Sequence, residues 1–229
     1  MTKAPNRLSD FRYERKFFVS ELTYHEIESI VKLHPAVFSE IYHPRYVNNL
    51  YFDSFAMKSY FDNVDGVAER IKARIRWYGD MFGTIEKPVL EFKIKRGSVG
   101  RKESFPLKSF SIDENLQLEC IVAVFESSDI PEGLRINLGA MEASLLNRYR
   151  RKYFLSGDKK YRITIDSELA FCPIANARLL HKYVDFVSTV LEVKYDPAEN
   201  QHANKVTSHF PFRMTRSSKY VNGIDLAYL

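Results

Sequence analysis

The sequence predicts an α+β, mainly β domain whose sheet closes on itself around a cationic interior, with a few helices packed outside. Three observations carry that prediction. Helical periodicity is confined to three short stretches, most of the remaining chain alternates apolar and polar residues with period two, and the polar positions of successive strands are largely basic. Period two places every other side chain on the same side of a strand, so each strand has one apolar and one charged face.

Each element follows in chain order. Glu14-Arg15-Lys16 leads into Phe17-Phe18-Val19 as a first strand. Thr23-Tyr24-His25-Glu26 has capping-box spacing, with Tyr24, Ile27, Ile30 and Val31 as the apolar stripe of a helix. A second short helix is expected over Phe55 to Asn63, after Asp53-Ser54. The clearest strand is Arg70 to Tyr78, basic at even positions through Arg76 and apolar at odd ones. Glu91-Phe92-Lys93-Ile94-Lys95 repeats the rule in the opposite parity, and Gly97 to Gly100 supply a turn. A third helix follows Asp113, with Leu116, Leu118, Ile121, Val122, Val124 and Phe125 on its apolar face. Arg148-Tyr149-Arg150, Arg162 to Asp166 and Glu192-Val193-Lys194 complete six strand segments that put charge on one face.

The chain of 229 residues shows no repeat, low-complexity tract or linker, so residues 1–229 read as a single domain. With 45% hydrophobic and 28% charged residues and only 9 Gly and 9 Pro, disordered and fibrous classes are excluded. The 34 Lys and Arg against 29 Asp and Glu leave +5, which points to an anionic partner. Two cysteines, Cys120 and Cys172, make neither a disulfide framework nor a four-ligand zinc site. Met1 to Asp10 lack the apolar run of a secretory signal, and no stretch approaches the ~18–20 apolar residues of a membrane span, so a cytoplasmic protein is expected.

On one strand, alternating charge is ordinarily a solvated face. The set is different, because Arg70, Lys72, Arg74 and Arg76 are four cations in succession on one face. Two like charges at ~4 Å repel by ~4 kcal/mol at an effective dielectric near 20, so such a face needs an offset. Turned inward, it would line a water-filled tunnel that attracts a linear polyanion. Carboxylates share that face: Glu14 stands two before Lys16, Glu91 two before Lys93, Glu192 two before Lys194 and Asp166 two after Thr164. They can neutralise the wall as salt bridges, or hold Mg2+ or Mn2+ while Lys and Arg take phosphate oxygens. Both roles can coexist.

In this arrangement the sequence resembles the triphosphate tunnel metalloenzymes, and within them the polyphosphate polymerase branch typified by the catalytic domain of the vacuolar transporter chaperone complex. The matching elements, in order, are Tyr13-Glu14-Arg15-Lys16, Leu50-Tyr51-Phe52-Asp53, Arg74 to Gly79, Leu90-Glu91-Phe92-Lys93, Arg162 to Asp166, Leu191-Glu192-Val193-Lys194 and Ser218 to Gly223. The resemblance implies an eight-stranded antiparallel tunnel that binds a nucleoside triphosphate or polyphosphate by its phosphates. It implies catalytic roles for Lys16, Arg74, Arg76, Lys93 and Lys219. Phosphate binding by Lys72, Lys95, Arg148 or Arg150, Arg162, Arg216 and Ser218 follows in the same way. Glu192 is the implied metal carboxylate, with Glu14 and Glu91 as further candidates for Mn2+ or Mg2+. The first strand departs from the hydrolase and cyclase branches, which usually carry two carboxylates before the lysine; here Arg12 holds the earlier place.

The expected activity is transfer of the γ-phosphoryl of ATP to a growing inorganic polyphosphate chain. Hydrolysis of triphosphate or a nucleoside triphosphate is the alternative, and a non-catalytic polyanion-binding module a second. Nucleic acid is not the expected partner, because most of the aromatic residues fall on the apolar rather than the cationic parity. His25, His34, His43, His181, His202 and His209 all lie outside the charged strands, so no histidine-based catalysis is expected.

Overall fold

The computed structural model describes residues 11–114, 118–176 and 178–226. Met1 to Asp10, Leu116 and the side chains of Leu118 and Cys120 lie outside what is described. The strands are β1 (Arg12–Val19), β2 (Ser39–Asp53), β3 (Glu69–Tyr78), β4 (Gly83–Ile85), β5 (Val89–Arg96), β6 (Val99–Pro106), β7 (Phe110–Ile112), β8 (Glu142–Leu155), β9 (Tyr161–Ala175), β10 (Arg178–Leu179), β11 (Tyr183–Asp185) and β12 (Thr189–Tyr195). The helices are α1 (Tyr24–Lys32), α2 (Lys58–Val64), α3 (Leu118–Ser127), α4 (Glu132–Gly139), α5 (Ala203–Thr207) and α6 (Lys219–Asp225).

Eight strands form an antiparallel ring in the order β1, β6, β5, β3, β2, β8, β9, β12, and β12 pairs back onto β1. The ring is thinnest between β1 and β6, where only Arg12↔Gly100 and Tyr13↔Val99 pair. The register fixes which residues face the lumen. Lys72 is opposite Lys93, Arg74 opposite Glu91, Lys16 opposite Glu192 and Glu192 opposite Thr164, so the charged parity of every one of these strands points inward.

The apolar parity points outward and is covered on two sides. Ala73, Ile75, Trp77, Leu90 and Phe92 lie under the β4–β7 pair and helices α3 and α4. Phe17, Val19, Ile163, Ile165, Leu191 and Val193 lie under α1 and α5. Helix α1 starts as the sequence predicts: Thr23 N–H donates to the Glu26 carboxylate at 2.7 Å, and Glu26 N–H to Thr23 Oγ1 at 3.4 Å. Helix α2 begins at Lys58 rather than Phe55, because Met57 takes a left-handed φ of 53° and Phe55 stays exposed.

A third apolar cluster lies on the inward parity. Val47, Tyr51, Leu145, Tyr149, Leu169, Phe171 and Val190 surround Tyr220 and Ile224 of α6. The last helix therefore fills one end of the ring, and the charged lumen opens at the other. Gly223 permits the insertion: a Cβ there would stand 2.6 Å from Leu145 and 2.7 Å from Phe171. Ser218 caps this helix by accepting from Val221 N–H at 3.4 Å, and the Tyr220 hydroxyl donates to buried Asp53 at 2.6 Å. No helix among the described residues is long and apolar enough to cross a membrane.

Candidate active site in the tunnel

Three groups of ion pairs line the lumen. On β3, β5 and β6, Glu91 accepts from Arg74 Nε and Nη2 at 2.9 and 2.7 Å, meets Lys102 at 2.5 Å and has Arg76 at 3.5 Å. Arg76 also donates to Asn49 at 2.8 Å and to the Tyr149 hydroxyl at 3.1 Å. A single oxygen of Glu91, Oε2, therefore gathers two guanidinium groups toward the lumen, where their remaining N–H donors suit phosphate.

On β1 and β12, Glu14 pairs with Lys93 at 2.8 Å and with Lys194 at 3.4 Å, while Glu192 pairs with Lys194 at 2.7 Å and with Lys16 at 3.2 Å. On β8, β9 and α6, Asp166 binds Arg151 at 2.5 Å and Lys219 at 2.6 Å. Burial pushes the carboxyls of Glu14, Glu192 and Asp166 up, but the surrounding cations outweigh it and hold all three well below the ordinary carboxylate range. They are anions at neutral pH.

Two lysines are left with too little negative charge. Lys72 has no carboxylate partner among the described residues and donates to Asn63 Oδ1 and Ser218 Oγ, both at 2.8 Å. Burial lowers its pKa well below the usual lysine value, and Lys93 and Lys16 press it further down. Burial also lowers Lys93; Glu14 opposes, yet Lys16 and Lys194 help bring it to about 8. The two lysines are directly opposite each other on β3 and β5, and the one carboxylate among the described residues that reaches either of them, Glu14, is shared with Lys194.

Most of the residues expected from the sequence meet here: Lys16, Lys72, Arg74, Arg76, Lys93, Ser218, Lys219, Glu14, Glu91 and Glu192 all line the lumen or its end. Lys95 shares the face but donates to Ser98 C=O at 2.9 Å. Arg162 has the inward parity and stands exposed at the open mouth; Arg216 is exposed just before α6; neither has an ion pair among the described residues. Arg148 and Arg150 do not face the lumen. Asn147, Tyr149 and Arg151 carry the inward parity of β8, so Arg148 stacks outside on Tyr46 at 3.9 Å and Arg150 pairs with Glu168 at 3.5 Å. The lumen arginine of β8 is Arg151. Lys102 and Lys194 are further lumen cations that the sequence analysis does not assign to the site.

The lumen's donors for a divalent cation are oxygens only. Among the described residues, no group of three or more His, Cys, Asp or Glu is placed to hold a metal. Glu14 and Glu192 share Lys194, and Glu14 Oε1 is buried without a hydrogen-bond partner. This pair fits Mg2+ or Mn2+ when phosphate oxygens complete the coordination shell. Glu91 has no such open oxygen: its Oε1 meets Lys102, and its Oε2 takes Arg74 and has Arg76 at 3.5 Å.

An antiparallel ring with a lumen of inward lysines, arginines and carboxylates is the fold of the triphosphate-tunnel enzymes. The chain belongs to the VTC-domain family, whose model matches residues 11–228. Among solved structures, a candidate adenylate cyclase from Vibrio parahaemolyticus is similar in fold, with a TM-score of 0.54 at 12% identity over 93% of this chain and 98% of that one. A second candidate adenylate cyclase, from Bacillus halodurans, gives 0.52 at 14% identity over 91% and 95%. A protein from Pyrococcus horikoshii gives 0.51 at 13% over 95% and 99%. No curated protein matches the chain in sequence.

Proposed function

We propose that this domain moves the γ-phosphoryl of ATP onto the end of an inorganic polyphosphate chain within its tunnel, in a metal-dependent reaction. The observation that carries the reading is the facing pair Lys72 and Lys93: among the described residues Lys72 has no carboxylate partner, and Lys93 has Glu14 alone within ion-pair distance. A polyphosphate or triphosphate supplies the missing negative charge.

The terminal oxygen of the acceptor attacks the γ-phosphorus, the bond from that phosphorus to the β–γ bridging oxygen breaks, and ADP leaves. Such chemistry asks for alignment and charge neutralisation rather than a protein nucleophile. Arg74 and Arg76, oriented by Glu91 and Asn49, hold equatorial oxygens; Lys93 and Lys72 hold one side of the phosphate chain and Lys16 and Lys219 the other. Glu192 and Glu14 would hold a divalent cation, which when bound neutralises charge developing on the transferred group.

Hydrolysis is the second reading, and α6 favours it: with one end of the ring filled, a triphosphate entering by the open mouth needs no through passage. Purified protein supplied with ATP and Mn2+ is expected to make polyphosphate, read as chains on a gel. Orthophosphate and ADP alone would replace the polymerase reading with the hydrolase, and binding of polyphosphate without turnover would leave a polyanion-binding module.

Lys93 gives the site a pH signature. In the free protein it loses its proton through about 8, and only its charged form attracts phosphate. The affinity for inorganic triphosphate is therefore expected to fall as pH rises through that value, with proton uptake on binding by titration calorimetry. In Lys93→Arg the fall should flatten, because guanidinium stays charged across the range. An unchanged slope in that variant would assign the titration to another group.

A further inference from the structure

We infer that the open mouth carries a stacking platform for the base of a nucleoside triphosphate, built from Arg45, Tyr78, Tyr153 and Tyr42. The inference rests on the tunnel being a triphosphate site and adds what recognises the rest of the nucleotide. The Arg45 guanidinium lies 4.5 Å from the ring centre of Tyr78, 5.0 Å from that of Tyr153 and 5.4 Å from that of Tyr42. Tyr42 and Tyr153 meet edge to face at 5.5 Å.

Position and exposure make this more than a surface cluster. Tyr78, Arg45 and Tyr153 continue the inward parity of three adjacent strands. Tyr78 is opposite Val47, Arg45 opposite Arg151 and Tyr153 opposite Thr164. Tyr78 thus stands two residues, about 7 Å, beyond Arg76 along the wall, an offset that ribose and the α-phosphate can span. A register shift between Tyr42 and Arg45 interrupts the β2–β8 pairing at this point.

The groups are also open to solvent. Arg45 is exposed and has no carboxylate partner among the described residues, and Tyr42 and Tyr78 are 51% and 49% exposed. An exposed guanidinium flanked by rings presents a flat π surface at the end of a phosphate-binding lumen. Aromatic and guanidinium faces accept any base by stacking, with little hydrogen-bond discrimination.

The test compares ATP with inorganic triphosphate on the whole chain by calorimetry. In Tyr78→Ala and in Arg45→Gln, ATP affinity is expected to fall about tenfold while triphosphate affinity stays within about twofold, the retained binding also reporting that the variants are folded. Tyr78→Phe should bind ATP as the parent does. If the parent binds both ligands and the ATP-to-triphosphate ratio does not move in either variant, the platform is overturned while the tunnel reading stands. If the parent binds neither, the tunnel reading fails and takes the platform with it.

Discussion

Replacing Asp166 with alanine is expected to destabilise the fold by about 3 kcal/mol, the low end of what removing one partner from a buried ion pair costs. Asp166 is fully buried and faces two cations that are themselves buried, Arg151 and Lys219. Without it, Glu192 is their nearest remaining anion, at 3.6 Å from Arg151 and 3.8 Å from Lys219. Those contacts are too long to return the charge-assisted hydrogen bonds that are lost. A shifted urea midpoint at unchanged slope would measure the cost. Added inorganic triphosphate should restore more stability to the variant than to the parent, since it brings anionic oxygens to the same cations. A loss below about 1 kcal/mol would mean that Glu192 balances both cations alone. The pH dependence has a definite sign: the depressed carboxyls of Asp166, Glu14 and Glu192 stabilise the fold above their unfolded pKa, and that stability disappears as pH falls through their folded values.

Lys93→Ala should do the reverse, removing at least ~10²-fold of turnover with ATP while leaving stability intact. Glu14 keeps Lys194 at 3.4 Å, so no anion is stranded. Lys72 loses the like charge directly opposite it. The native pKa of Lys93, about 8, lies below the ordinary lysine value, so its charge opposes folding at neutral pH. That opposition is relieved as pH rises from about 8 toward the unfolded pKa. Product formation from ATP and a thermal melt on the same sample separate the two effects. A variant that melts markedly earlier would recast Lys93 as a structural partner of Glu14 rather than a phosphate ligand.

The legible part of the molecule was the part with two unlike faces. β3 and β5 alternate cleanly because the β4–β7 pair and helices cover one side and the charged lumen meets the other. β2 and β9 escape that rule over much of their length, since α6 packs apolar side chains against the inward face and buries it too; Val47 to Asp53 are all buried. The parity of β8 was hidden by a run of cations from Arg150 to Lys152 and by the register shift across from Glu168, whose φ of 53° no pattern announces. Helix α6 is short, carries a central glycine and has little helical propensity. It forms because Ser218 caps it and the ring end receives Tyr220 and Ile224. Its place inside the ring is therefore unreadable locally, although the sequence marks Ser218 and Lys219 as candidate phosphate ligands and both lie at the lumen.

The closure of the ring through β1 and β12 also governs how the chain reaches its fold. Arg15 and Tyr195, bonded at 2.8 Å, stand 180 positions apart. Contacts of such long sequence separation yield nothing until a large loop has been closed, and they are the kind that slows folding. Until β12 arrives, β1 and β9 are bare sheet edges with unpaired backbone donors, open to pairing with other chains. The site and the protection against aggregation are thus completed by the same pairing, that of the strand that carries Glu192 with β1 and β9.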